Sequence, residues 1–516
     1  MIMTFQDMIG LLPLLILCVT TLCVLLFVLF YRCHCVTFFI TIFGVTTSFV
    51  SLYIVWKYEV HEIANLFYID KFSILCMVLV LLASFVTSIV SYMWLAYNRC
   101  VYSDEFYLLL LILTIGAVIV VNTSHLVMLF FGIELVSLPL FGIIGYVTAR
   151  QYVLEATIKY VVLSAISTAF LLFGIALVYA ETACLSFIDL FAELVMRANV
   201  FSQSMILMLG ISMMLVGFGF KLSLVPFHLW TADVYQGASE IAGMCLATIN
   251  KISVFSILVR FFLLFPASYN KIIYILVIIS CVSMLFGTLM AIKQDNIKRI
   301  LAYSSVTHTG YLLVGVIGSM KQSFPVRNFN VLNTFTDGIE TISICLVNYC
   351  FATLGAFIVF SLVFCIYYYD KNEDPGILNL YRGLFWKDPI LSIAFTIIIL
   401  ALAGVPATLG FICKFYLIIF GVERELWWCV AFMVFCSGVS VLYYSRAIII
   451  LYLSPLPSRD FYVRCSNGSF AFLNSYYNNK QLVMVLCALC IVLVFSVLLA
   501  FFGIFPQCLL YLLSLI

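Results

Sequence analysis

GFGFKLSLVPFHLW, residues 217–230, decides how the chain has to be read. It closes an apolar run that begins near Ser204; Lys221 is the only full charge in that run, and Pro226 follows soon after. An ammonium group and a helix breaker inside an apolar stretch are costly in a protein core and in a bilayer alike, so composition must first say which solvent surrounds them.

Hydrophobic residues make up 65% of the 516 residues and charged residues 9%, against roughly 45–50% and 25% in ordinary soluble domains. The chain therefore reads as an all-α integral membrane protein. About fourteen apolar segments recur from end to end, each long enough to cross a hydrocarbon core about 30 Å thick. The stretches Ser204–Thr231 and Asp388–Gly421 exceed a straight crossing, and they hold Pro226 and Pro406. Both predict helices interrupted within the membrane. Linkers are short and polar, notably Met320–Asp337, Asp370–Lys387 and Pro455–Gln481. Between Leu185 and Ala198, Ile188, Phe191, Leu194 and Val195 recur at helical spacing among Asp189 and Glu193, which predicts a helix lying along the interface.

Lys and Arg between spans set the orientation. With the N-terminus on side one, side two collects Arg32, Arg99, Arg150, Lys293, Lys298, Arg299, Lys371, Arg382, Lys387, Arg459, Arg464 and Lys480. Side one holds Lys57, Lys71, Arg197, Lys271, Lys321, Arg327 and Arg424. The positive-inside rule makes side two the cytoplasm or matrix. The first twenty residues lack a basic n-region and a small-residue cleavage site, so they read as part of a span, not as a leader. Abundant Phe (48), Tyr (30) and Cys (19) suit a thymine-rich genome and an organelle-encoded chain.

Of the cysteines, only Cys33-His34-Cys35 and Cys487–Cys490 form tight groups, and neither has a second pair at zinc-site spacing. They read as apolar filler, and no metal site is expected. Neither a phosphate-cradling glycine loop nor a nucleic-acid signature is present in the sequence. Asn122-Thr-Ser124 and Asn467-Gly-Ser469 match the short glycosylation pattern.

The informative residues are ionisable ones inside spans: Glu134, Lys159, Lys221, Lys251, His308 and Lys414. Each acid or lysine near the bilayer centre costs about 2.5–3.5 kcal/mol on insertion scales. Lys159 lies close enough to a segment start to snorkel to the interface instead, and His308 also fits an interior histidine bonded to a carbonyl. Glu134 cannot neutralise Lys221, Lys251 and Lys414 together. Other polar groups must therefore solvate them, or they are neutral part of the time. A lysine between a desolvating interior and a carboxylate can take up and release a proton, and a row of such lysines is a proton relay. Broken helices supply backbone polar groups at such sites.

Gly217-Phe-Gly-Phe-Lys221-Leu and Gly410-Phe-Ile-Cys-Lys414-Phe share the pattern G-F-x-x-K-apolar. If they mark corresponding helices, the seventh and twelfth, two repeats of about five spans enter from opposite sides. The expected organisation is residues 1–105 (three N-terminal spans), 106–266 (first repeat), 271–453 (second, inverted repeat) and 454–516 (loop and last span).

FGIELVSLPLFGIIGY, EATIKYVVLSAISTAFLLFGIALVYA, FKLSLVPFHLWTADVYQGA, QDNIKRILAYSSVTHTGYLLVG and LAGVPATLGFICKFYLI follow in this order over about residues 106–420. Together they closely resemble the antiporter-like subunit 2 of proton-pumping NADH:ubiquinone oxidoreductase, respiratory complex I. The resemblance implies inverted repeats, broken seventh and twelfth helices, and a polar axis that carries protons. In this family's pattern Glu134 is the acid paired with Lys221, Lys159 the sixth-helix lysine, Lys251 the central eighth-helix lysine and Lys414 the twelfth-helix residue. His308 falls in a polar stretch of the tenth helix. A lysine at position 414 favours subunit 2 over subunit 4 relatives, which usually have glutamate there. The chain departs from the pattern at Ala232, Ser239 and Ala407, where prolines are usual.

The resemblance also implies that NADH, FMN, iron–sulfur clusters and ubiquinone belong to partner subunits, with no cofactor in this chain. Its expected partners are a subunit 4-like antiporter-like subunit, small membrane subunits and lipids, in the mitochondrial inner membrane. A bacterial plasma membrane or a thylakoid is the alternative location. A multisubunit cation/proton antiporter and a non-conducting scaffold are the alternative functions.

Overall fold

The computed structural model describes residues 5–58, 62–98, 102–147, 151–196, 204–263, 265, 270–321, 331–367, 376–454 and 479–515. Among these, 13 helices are long and apolar enough to cross a membrane, and two shorter ones in series, Pro389–Ala403 and Leu409–Glu423, complete a further crossing. The first six crossings are Leu12–Phe30, His34–Tyr58, Lys71–Asn98, Ser103–Asn122, Leu126–Ile144 and Gln151–Thr182. The seventh is Met205–Leu222 with Leu229–Gly237, the eighth runs from Glu240 to Leu263, the ninth is Asn270–Ile292 and the tenth Ile297–Met320. Val331–Tyr367, the broken twelfth, Trp427–Tyr452 and Asn479–Ile504 follow. Basic residues Arg99, Arg150, Arg197, Arg327, Lys371, Arg459 and Arg464, and the Asn467-Gly-Ser469 pattern, lie outside the described residues.

Burial sorts the crossings. The eighth and tenth helices are buried along nearly their whole length, whereas the first is mostly exposed. The polar residues of the eighth and tenth therefore face protein, where side chains and backbone groups can satisfy them.

Both expected interruptions are present, and each opens with a left-handed residue, the usual way to stop a helix. Ser223 has φ 60° and ψ 38°; Gly404 has φ 77° and ψ 42°. Pro226 and Pro406 lie in the gaps that follow. The freed carbonyls find donors nearby. Leu224 N–H donates to Gly219 O at 2.7 Å, Trp230 Nε1–H to Phe220 O at 3.1 Å, and Val405 N–H to Leu400 O at 3.1 Å. Glycine is required at 410, where a Cβ would stand 1.7 Å from Ala401 O. The two G-F-x-x-K stretches do not occupy corresponding places, however. Lys221 ends the helix before its break, and Lys414 lies in the helix after it.

Several other features add to or differ from expectation. The eighth helix contains a π-helical turn at Leu246–Asn250, immediately before Lys251. The interface helix is Phe187–Met196, and it buries Phe187, Leu190 and Leu194 while Ile188 and Val195 face outward. Asn122 is buried and donates from Nδ2 to Met77 Sδ at 3.1 Å, so the glycosylation pattern there is a coincidence of sequence. Most described cysteines are free, but Cys345 and Cys413 form a disulfide between the eleventh and twelfth helices. Ser239, at one of the positions where proline was expected, caps the eighth helix, its hydroxyl accepting from Ala242 N–H at 3.2 Å.

Candidate functional site

The unsatisfied lysines posed the main physical problem, and the structure answers it mostly with uncharged oxygens. Lys221 is 2% exposed, and its Nζ donates to Ser164 Oγ of the sixth helix at 2.7 Å. Among the described residues Lys221 has no direct ion pair with Glu134, although the two are near enough to interact through space. Glu134 is half-buried and accepts from the Ser137 hydroxyl at 3.1 Å.

Lys251 follows the π-helical turn. Its Nζ donates to Ser223 Oγ and to Ser305 Oγ, each at 2.7 Å. Ser223 is the left-handed residue that opens the break in the seventh helix, so the interruption presents a hydroxyl to the central lysine. Ser305 belongs to the tenth helix, and its hydroxyl donates a hydrogen bond to Ala302 O at 2.6 Å.

Lys414 lies behind the second break. Its Nζ donates to Ala403 O at 2.6 Å and stands 5.4 Å from the Tyr311 ring centre. This places a cation at the carbonyl end of Pro389–Ala403, the end whose dipole attracts it. His308, also buried, lies beside the next carbonyl back, Leu402 O. Its ring is flanked by Tyr311 at 5.7 Å and Tyr349 at 5.9 Å between centroids. The half-helix therefore turns its last carbonyls toward both relay candidates of its neighbourhood.

Lys159 is different. Its side chain is 40% exposed and pairs with Glu155 at 2.6 Å and Asp233 at 2.7 Å. Asp233 also receives Arg299 at 2.7 Å. This position is partly exposed and ion-paired, not buried like the other lysines. Lys159 sits in a half-exposed ion cluster at the end of the sixth helix, whereas Lys221, Lys251, His308 and Lys414 are buried.

The sequence reading missed one buried charge pair altogether. Lys298, assigned there to a basic linker on side two, is buried against Glu240 at 2.8 Å. The Cys33-His34-Cys35 group packs on aromatic residues: His34 Nε2 is 3.0 Å from Tyr107 Oη and Cys35 Sγ 3.0 Å from Tyr92 Oη.

Residues 123–440 match the family described as NADH:quinone oxidoreductase/Mrp antiporter, transmembrane. NADH-quinone oxidoreductase subunit N of Blochmanniella floridana is 40% identical over 517 residues, covering 98% of this chain and 98% of its own. A chain of respiratory complex I from Thermus thermophilus with bound aureothin aligns with a TM-score of 0.75 at 26% identity, over 96% of this chain and 98% of that one. The fold is shared with a chain of the Mrp complex from a Dietzia species, with a TM-score of 0.75 at 20% identity, over 99% of this chain and 97% of that one.

Proposed function

This chain belongs to the antiporter-like membrane subunits of NADH:quinone oxidoreductase, within the family shared with Mrp antiporters, and from that premise we propose that it translocates protons in the membrane arm of such a complex. Electron transfer from NADH to quinone takes place on partner subunits that hold the FMN, iron–sulfur clusters and quinone, and this chain contributes no redox centre. Its neighbours are other membrane-arm subunits, a subunit 4-like chain among them. The location is a bacterial plasma membrane, supported by the bacterial source of the 40% identical relative, in place of the mitochondrial inner membrane that composition suggested.

The observation that carries this reading is the solvation of the three deep lysines. Lys221, Lys251 and Lys414 donate to serine hydroxyls or a carbonyl, with no direct carboxylate partner among the described residues. A lysine locked to a carboxylate has little reason to release its proton, whereas one held by neutral oxygens gives it up more readily. Hydroxyls can both accept and donate, so Ser164, Ser223 and Ser305 are suited to pass a proton on. Glu134 acts as the variable charge near Lys221. His308 links the Lys251 and Lys414 neighbourhoods. Lys159 joins the route at its half-exposed end. The chain divides at residues 1–105, 106–266, 271–453 and 454–516, the middle two being inverted repeats.

The deciding experiment measures protons moved per NADH oxidised in vesicles carrying the assembled complex with Lys251→Met. Loss of pumping in a complex that assembles supports the relay; normal pumping sinks it. Sodium-dependent proton exchange without NADH oxidation would instead place the chain in a cation/proton antiporter.

A further inference from the structure

Glu240 and Lys298 stand 2.8 Å apart with 1% and 2% of their side chains exposed, and the relay uses neither. Each has a second fixed partner. Trp94 Nε1–H of the third helix donates to Glu240 Oε2 at 3.1 Å, and Lys298 Nζ donates to Ala238 O at 3.1 Å. Ala238 is the C-terminal cap of Leu229–Gly237, the second half of the broken seventh helix. Glu240 lies in the first turn of the eighth helix. The cation thus sits at a helix C-terminus and the anion at a helix N-terminus, the two ends whose dipoles favour those charges.

The same three elements meet again at Lys251. At the outer junction Lys298, of the tenth helix, bridges the end of the seventh and the start of the eighth. At the inner junction Lys251, of the eighth, bridges the break of the seventh at Ser223 and the tenth at Ser305. Glu240 to Lys251 is roughly 16 Å of helix and Lys298 to Ser305 roughly 10 Å. Helical side chains tilt toward the N-terminus of their helix, and the long Lys251 side chain reaches Ser305 at 2.7 Å. The π-helical turn at Leu246–Asn250 lies between the junctions on the eighth helix and immediately precedes Lys251.

We propose that Glu240 and Lys298 form a positioning pair: by fastening the start of the eighth helix to the tenth and to the end of the seventh, they hold Lys251 between Ser223 and Ser305. This inference rests on Lys251 being a relay lysine, and it adds residues that touch no transferred proton. Removing either charge leaves the other buried and uncompensated, which loosens the outer junction.

The test is a double-mutant cycle in the assembled complex, reconstituted in vesicles, with pumping rate and complex amount both measured. Glu240→Gln keeps the shape and loses the charge. It is expected to slow pumping about tenfold, within the roughly hundredfold that a 1 Å misplacement can cost. Ser305→Ala is expected to slow pumping too, and the double variant to be no more than about twofold slower than the poorer single one, because both act on the same placement of Lys251. Lys298→Arg, which keeps the charge, is expected to retain most of the pumping. Losses that multiply in the double variant overturn the inference, as does unchanged pumping in Glu240→Gln or Ser305→Ala. If Glu240→Gln does not assemble, Trp94→Phe, which removes one hydrogen bond to Glu240, takes its place in the cycle with the same two outcomes. Lys251→Met separates the two levels: normal pumping there ends the relay reading itself, whereas lost pumping there with a multiplicative cycle ends only the positioning role.

Discussion

Lys414 Nζ donates to the carbonyl oxygen of Ala403 at 2.6 Å, across the break in its own crossing. Gly404 makes this contact possible. It has φ 77°, and a Cβ there would fall 2.7 Å from Lys414 Cδ and 2.9 Å from Nζ. Gly404→Ala should therefore strain the turn by roughly 1–3 kcal/mol and push the ammonium off its carbonyl. We expect less assembled complex on native gels and, in what assembles, slower pumping; pumping and complex amount both equal to wild type would contradict the described contact.

Lys221 and Glu134 make no direct ion pair among the described residues, and Lys221 is held by Ser164 instead. Lys221→Met should lower proton pumping about a hundredfold, the low end of what a lost proton-transfer group costs. Ser164→Ala, which removes only the hydroxyl at 2.7 Å, should cost less. Pumping measured beside NADH oxidation distinguishes them, and a larger loss for Ser164→Ala would reverse the assigned roles.

Lys159 belongs to a cluster in which every side chain is at least one-third exposed. Exposed pairs of this kind are worth about 0–1 kcal/mol each. Lys159→Gln should thus slow pumping far less than Lys251→Met, and its effect should shrink as salt is raised. An equal loss in both variants, insensitive to salt, would return Lys159 to the core of the relay.

Arg260 supplies a control for stability without transport. Its guanidinium donates to Asp70 at 2.8 Å and to Thr123 O at 3.2 Å, and lies 5.6 Å from the Tyr68 ring centre. These contacts tie the eighth helix to the N-terminal spans. Arg260→Met should cost about 1–3 kcal/mol, seen as less complex, while protons per NADH in the remaining complex stay unchanged. A changed ratio would bring Arg260 into the mechanism.

The crossings, the two breaks and the deep lysines were legible because a charge or a proline in an apolar run stands out against its neighbours. Glu240 and Lys298 were not, because they sit in WTADVYQGASE and QDNIKR, where polar neighbours make a charge look like an ordinary interfacial one. What holds them is contact between elements distant in sequence, Glu240 with Trp94 and Lys298, and Lys298 with Ala238 O. The π-helical turn left no mark in LATIN, which carries no glycine or proline. The shared G-F-x-x-K pattern misled in a different way, since a short match gives no register relative to the breaks. Serine hydroxyls as lysine partners were also invisible, because serine in a span usually bonds to its own helix.

Glu134, Lys251 and His308 each fall halfway along their crossings, and Lys221 and the Lys414 ammonium lie at the breaks near the middle of theirs. The row therefore keeps close to the middle of the crossings, away from both of their ends. Carrying a unit charge across the whole bilayer involves about 2.3 kcal/mol for every 100 mV of membrane potential. In the proposed relay, a proton stepping sideways between these mid-crossing residues would do almost none of that work. If the proposed relay holds, the voltage falls instead on whatever joins the row to the two aqueous phases, so membrane potential should retard loading and release while leaving the steps between lysines nearly untouched.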